Sequence, residues 1–300
     1  MSTADQILRK TLVQCLWPAT NAPLTSAEIL ELLDDEISET LWPQLHAAQG
    51  DWHLAVADTD LVASRARYRM PRRMWGPLKE LLFVDEDGEA RDFQTINISQ
   101  LGRMARESRP SSSDTAPYYA YVDGDFIGLH PIPSAAAGTL RVMYYRSPNA
   151  LCLEAAARQI SGITSSTVVQ LETTITGWTS SSVVDIIGAG GSHQVVADGV
   201  GVASLVGTAL TFDAALPDGV EVGDWVSLTG TTPVAQVPDN LIGQLISLGA
   251  AMCMASVGDD KGFARSSAKA SDKERRAQNT LEPRNEAEPT IIRPRRGFFR

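Results

Sequence analysis

Apolar residues recur at every fourth position through Ile29, Leu33, Ile37 and Leu41, with Leu30 beside them. This spacing predicts an amphipathic helix whose opposite face carries Glu31, Asp34, Asp35 and Glu39. Thr25 and Glu28 stand just before it at the spacing of a capping box, in which each side chain satisfies a free backbone N–H of the other. A shorter helix is predicted from Ala4 to Trp17, where Ile7, Leu8, Leu12, Cys15 and Leu16 keep near-helical spacing until Pro18 stops the run. After Pro238 an apolar segment containing Leu241, Ile242, Leu245, Ile246, Leu248, Gly249, Ala250, Met252 and Met254 predicts a further helix. It is short of membrane length and suited to closing the core against the first two. Lys261 to Thr280 is charged and alanine-rich and predicts a long exposed helix, and Pro283, Pro289 and Pro294 exclude regular helix beyond it.

Between these helices the pattern is that of strands. Trp52 to Val56 and Leu61 to Tyr68 read as strands, and Leu81 to Phe93 as a hairpin turning at Asp87-Gly88. Ile98 to Glu107 predicts a short helix and Ser108 to Pro117 a polar loop. Tyr118 to Arg146 holds three strands: a hairpin through Asp123-Gly124, an end at Pro131 and Pro133, and a third run from Leu140 to Tyr145, together predicting a small antiparallel sheet. From Leu153 to Val237 the composition turns to Val, Thr, Ser and Gly, with Arg158 as its one Lys or Arg. Strand-length runs at Thr167–Leu171, Val183–Ile187, Leu210–Phe212 and Trp225–Leu228 predict an inserted all-β domain, barrel or sandwich. The expected fold is α+β: a helical core with antiparallel β-hairpins (1–152), the β insertion (153–237), closing helices (238–282) and an extended C-terminal arm (283–300).

Composition narrows the function. The chain has 300 residues, 43% of them hydrophobic, and neither an apolar signal core nor a membrane-length run, so a cytoplasmic setting is expected, including a virus assembled there. Cys15, Cys152 and Cys253 are far apart and form no metal or redox motif, which predicts buried reduced thiols. The net charge of −10 is uneven: from Lys261 onward eleven Lys and Arg face five acids, so this part is +6 and the remainder −16. An acidic body binds nucleic acid poorly, because phosphate contacts need Lys or Arg. A basic tail instead suits an acidic protein surface, such as a sibling subunit. The acidic face of Glu31, Asp34, Asp35 and Glu39 is either a solvated helix face or a like-charged wall along a DNA passage. Arg65, Arg67, Arg69, Arg72 and Arg73 form the basic cluster of the body. Alternation of the first three sets them on one strand face, either plain solvent face or a salt-bridge ladder to a neighbouring subunit. The last ten residues join Arg293, Arg295, Arg296 and Arg300 to Ile291, Ile292, Phe298 and Phe299, a composition suited to insertion into a partner groove.

Chemical motifs are sparse. His46, His53, His130 and His193 lack a ligand partner at metal spacing, and the Gly188–Gly191 run is followed by no Lys-Ser/Thr. Ser266 and Lys269 share the S-x-x-K spacing but stand in the charged tail, and Asp123 with Asp125 falls short of the ligands calcium takes. No nucleophile stands with a base, so neither catalysis nor a metal or cofactor is expected. Trp178 and Trp225 could form a sugar-stacking platform.

The Tyr118–Arg146 segment, with its I-x-L-x-P-x-P and G-T-L-R-V-x-Y-Y-R runs, resembles the central hairpin of bacteriophage head-to-tail adaptor proteins. Upstream, Tyr68-Arg69-Met70-Pro71, then Leu78, Leu81 and the Asp85–Gly88 turn, are similar to that family's next landmarks. Downstream, Gly223-Asp224-Trp225-Val226 and Val237-Pro238-Asp239 extend the likeness. The resemblance implies a virion protein assembled in the host cytoplasm as a ring, commonly of twelve copies, beneath the portal. It would join head to tail and continue the DNA channel without sequence-specific DNA binding and without a membrane. Implied partners are the portal, reached by the arm Ile291–Arg300, and tail or nozzle proteins. The second reading is a virion module whose β insertion recognises carbohydrate or a host surface.

Overall fold

A computed structural model describes residues 2–48, 52–100, 119–134, 136, 138–191 and 193–281, the side chains of 277–281 aside. The chain divides into two compact units, one of residues 1–50 and 148–300, the other of 51–147. Helix α1 (Ala4–Cys15) is capped by Thr3 and ends on Leu16, whose left-handed φ of 62° lets the Leu16 and Trp17 N–H groups reach the last free carbonyls. Helix α2 (Ser26–Glu36) begins with the capping box expected of Thr25 and Glu28. The helical path does not stay regular to Leu41. Residues Ile37–Leu41 form a π-turn in which the Trp42 N–H reaches Ile37, and α3 (Trp42–Ala48) follows. Pro43 supplies the reason: it has no N–H for the α-helical ladder, and the widened turn absorbs the defect while Ile37, Leu41 and Trp42 stay buried.

The smaller unit consists of two four-stranded sheets around one core. Strands β1 (Leu54–Asp60), β2 (Arg67–Arg69), β3 (Met74–Val84), β4 (Ala90–Asp92), β5 (Gln94–Thr95), β6 (Tyr119–Asp123), β7 (Phe126–His130) and β8 (Thr139–Arg146) pair in the orders β1-β8-β3-β4 and β2-β7-β6-β5. The hairpins expected at Asp87-Gly88 and Asp123-Gly124 are present, each with its glycine at positive φ. Tyr118–Arg146 does not make one sheet, however: β8 leaves the β6–β7 hairpin and pairs with β1 and β3. Its alternation decides this, because Leu140, Val142 and Tyr144 point into the same core as Ile127 and Leu129 from the facing sheet. Leu61–Ala66 is also not strand. The Tyr68 hydroxyl accepts the Val62 N–H and donates to the Val62 carbonyl, holding that stretch as a turn. Gly128 sits opposite Tyr121, whose ring covers the position a Cβ would take. Of the helix expected at 98–107, residues 98–100 are helical and the rest, with the 108–117 loop, lies outside the described residues.

The chain re-enters the larger unit through β9 (Ala150–Leu151). Strands β10 (Arg158–Ser165), β11 (Val168–Leu171), β12 (Val183–Ile187), β13 (Val195–Val206), β14 (Ala209–Phe212) and β15 (Trp225–Leu228) then close a six-stranded antiparallel barrel filled by Ile160, Val169, Val184, Ile186, Leu210 and Val226. Of the two all-β architectures open to this stretch, it is the barrel. Strand β16 (Thr231–Thr232) returns to pair with β9. A buried polar knot fastens this junction: the Asp185 carboxylate, fully buried, accepts hydrogen bonds from Asn149 Nδ2, Gly199 N and Gly230 N, all at 2.9 Å. Gln236 extends it, accepting the Asn149 N–H and donating to the His193 carbonyl.

Helix α4 (Asp239–Ser256) is buried on most of its surface and packs against α1, α2 and α5 (Asp260–Leu281). Helix α5 is less exposed than its composition suggests. Gly262, Ser266 and Ala270 form a buried stripe of small residues at four-residue intervals, which lets its backbone approach α4 closely. On the other side of α4, Gly249 lies where α1 and α2 cross it. A Cβ there would stand 2.4 Å from Leu33 Cδ2 and 3.9 Å from Thr11 Cγ2.

Two stability changes are expected. Valine at Gly249 meets a Leu33 side chain with no exposed surface, so Gly249→Val costs about 1–3 kcal/mol, and combining it with Leu33→Ala costs less than the two single changes added together, as thermal or urea unfolding would read. Asp185→Ala takes the acceptor from the buried Asn149 and Gly230 donors and from the more exposed Gly199 N–H, and lowers stability by about 2–5 kcal/mol in the same measurement, whereas loss within a few tenths would mean the knot carries no weight.

Candidate interaction surfaces

The acidic residues of α2 do not share one environment. Glu31, Asp35 and Glu39 are exposed, four residues apart, along one edge of the helical run. Asp34 turns inward: both carboxylate oxygens accept the Leu151 N–H, at 2.8 and 3.0 Å, so it anchors β9 to α2. Burial pushes its pKa up from 3.8 to about 7, the N–H contact opposes the shift, and the charges of Asp35 and Glu31 add to it. Glu36 is raised for the same leading reason.

The arginine cluster of the smaller unit is partly engaged within the chain. Arg67 pairs with Asp123 at 2.7 Å across the β2–β7–β6 sheet. The Arg65 guanidinium lies 5.0 Å from the Tyr68 ring centroid while its Nε donates to the Arg67 carbonyl. Arg67 and Arg69 are exposed with Tyr68 buried between them, which is the alternation the sequence shows. Arg72 is exposed, and Arg73 is half-buried with its carbonyl accepting the Ser147 N–H. On the neighbouring sheet, Asp58 and Arg141 form a two-pronged pair at 2.8 and 2.9 Å that lowers the Asp58 pKa.

A basic groove that sequence reading does not assemble lies in the larger unit. Lys10 of α1 comes together with Arg265, Lys269 and Lys273 of α5 around a cavity of 490 Å³. The signal was the four-residue recurrence in α5; Lys10 is brought to it only by the packing of both helices on α4. Lys273 is anchored, donating to the Gly243 carbonyl at 2.6 Å and the Ser247 hydroxyl at 2.7 Å.

Other candidate positions are structural. Trp225 is buried with Ile187, Ala157 and Val234, and Trp178 packs half-buried against the barrel core. His53 and His193 are buried and His46 stands edge-on to Trp42. Cys15 and Cys253, remote in sequence, are brought near each other by the packing of α1 on α4, where the Cys15 thiol donates to the Ala250 carbonyl at 3.8 Å. Among the described residues no cluster of His, Cys, Asp or Glu could hold a metal ion, and no helix is long and apolar enough to cross a membrane. The arm residues Ile291, Ile292, Arg293, Arg295, Arg296, Phe298, Phe299 and Arg300 lie outside the described residues.

Asp34 gives a pH test. Its folded-state pKa lies above its unfolded value, so the folded state holds the proton between about pH 4 and 7, and stability falls as pH rises through that window. Asp34→Asn keeps an acceptor for Leu151 and removes the titration. Its stability relative to the parent chain should rise by up to about 4 kcal/mol from pH 4 to pH 8, read from chemical unfolding at each pH; a constant difference would place the Asp34 charge in water.

Residues 5–166, just over half of the chain, match the family model described as SU10 adaptor protein. The matched stretch runs from α1 through the smaller unit to the end of β10. A comparison with curated proteins finds no match.

Proposed function

Because the chain belongs to the SU10 adaptor protein family, a family of phage head-to-tail adaptors, we propose that it is a structural virion protein that forms a ring beneath the portal and joins the head to the tail. The family match across α1 to β10 carries this reading. The ring surrounds the passage through which DNA leaves the head, and its work is mechanical. Each subunit contributes a modest contact, and closing the ring turns many weak contacts into a durable joint. The chemistry of the described residues suits such a role. Its buried polar groups, Asp34, Asn149 and Asp185, are engaged in holding elements together, and both Trp178 and Trp225 pack into cores in place of forming a flat exposed platform for sugar.

The C-terminal arm is the docking element toward the portal, with Arg293, Arg295 and Arg296 binding carboxylates and Phe298 and Phe299 filling apolar pockets. The barrel is available for tail or nozzle proteins. Deleting Ile291–Arg300 should leave the melting temperature of the isolated protein unchanged and abolish its complex with the portal in native mass spectrometry. Replacing the three arginines by glutamate should do the same. Undiminished portal binding by both variants would remove the arm from the joint, and a full-length chain that ignores the portal would remove the adaptor reading.

A further inference from the structure

Two rows of unpaired opposite charge lie on different faces of the larger unit. On α2 and the π-turn that continues it, Glu31, Asp35 and Glu39 are exposed at four-residue intervals. On α5, Arg265, Lys269 and Lys273 recur at the same interval, so each row runs about 12 Å along its helix. Among the described residues neither row finds an ion-pair partner within the chain. Like charges crowd in both: Lys269 adds to the burial that lowers the Lys273 pKa, and Glu31 and Asp35 help to raise that of Asp34. The basic row does not stand on an open polar face. It borders the groove into which Lys10 also points, and the same groove exposes Val13 by 65% and Leu16 by 76%.

We propose that this groove receives the acidic α2 edge of a second copy of the chain, so that successive subunits join basic groove to acidic helix. Charge and length match, and the half-buried Leu32 beside the acidic row offers apolar surface to Val13 and Leu16. A phosphate backbone would use the four cations but gain nothing from those two exposed apolar side chains, and the chain carries a net charge of −10. The two surfaces are different parts of one unit, both helices packing on α4. Their union is therefore heterologous and propagates from copy to copy instead of ending at a pair. Closure into a ring rests on the adaptor reading above; the groove-to-helix contact does not. The proposal assigns Glu31, Asp35 and Glu39 to a subunit interface in place of the wall of a DNA passage.

The test is a charge exchange. One variant carries Glu31→Lys, Asp35→Lys and Glu39→Lys; the other carries Lys10→Glu, Arg265→Glu and Lys269→Glu. Lys273 is left alone because its ammonium fastens α5 to α4. At low salt, where exposed charges are least screened, sedimentation velocity should show the parent chain self-associating, each variant losing association, and an equimolar mixture of the two regaining it. Far-ultraviolet circular dichroism checks that each variant is folded; if a triple variant is not, Asp35→Lys and Lys269→Glu take their places. A parent chain that stays monomeric, a variant that associates undiminished, or a mixture that fails to recover would overturn the proposal. So would loss of double-stranded DNA binding as the only effect of exchanging the basic row. Exchanged variants that still form the parent's ring on the portal would reject this interface and leave the adaptor reading standing. A parent chain that does not bind the portal would reject the adaptor reading while the mixing result still stands.

Discussion

The larger unit depends on the burial of α4. A helix that is apolar around most of its circumference cannot remain in water, and its burial on several sides requires neighbours that approach closely. Two groups of small residues permit this. Gly249 lets α1 and α2 cross with Leu33 and Thr11 against its backbone, and Gly262, Ser266 and Ala270 let α5 lie down on another side. Some of the polar groups that enter are matched, since Ser247 and the Gly243 carbonyl receive the Lys273 ammonium, while Gln244 Oε1 and Ser266 Oγ are buried without a hydrogen bond. Because α1 and α5 are both fixed to α4, the basic side chains they carry are brought to one groove. The surface chemistry is thus a consequence of how the core is covered.

The barrel is joined to this helical core by polar contacts beside the small apolar cluster of Ala157, Ile187, Trp225 and Val234. Its own interior is a separate cluster, while the junction at β9 and β16 is made of Asn149, Asp185, Gln236 and Asp34. Such contacts are directional. An apolar junction tolerates sliding, whereas a carboxylate meeting three donors at 2.9 Å fixes one orientation. For a member of a phage adaptor family, a directional junction is better suited than a merely adhesive one.

Much of this was legible in the sequence where local chemistry decides structure. The capping box of α2, the turns at Gly88 and Gly124, the proline before α4 and the strands Val183–Ile187 and Trp225–Leu228 all rest on residues that act within a few positions of themselves. Most of the failures share a cause: partners distant in sequence. Strands β10 and β13 contain Ser161, Gly162, Asp198, Gly199 and Gly201, which read as loop until barrel closure gives each backbone a neighbour. Strand β8 follows the β6–β7 hairpin in sequence, yet its alternating apolar residues fit the facing sheet. The π-turn came from Pro43, a local signal overridden by the stronger apolar stripe around it. The buried stripe of α5 is too small and polar to show in a hydrophobic pattern, and Asp34 looks like its exposed neighbours until Leu151 arrives.

The charge distribution shows the same limit at the level of function. Counting charges along the chain separates an acidic body from a basic end and suggests that the end seeks an acidic partner surface. Folding redraws that division, because Arg265, Lys269 and Lys273 belong to a helix of the core and share their groove with Lys10, from the opposite end of the chain. The basic character of the last forty residues therefore has two separate sources, a fixed groove on the helical unit and the arm beyond it. A fixed groove positions its cations before a partner arrives, so binding there orders fewer side chains and favours one geometry.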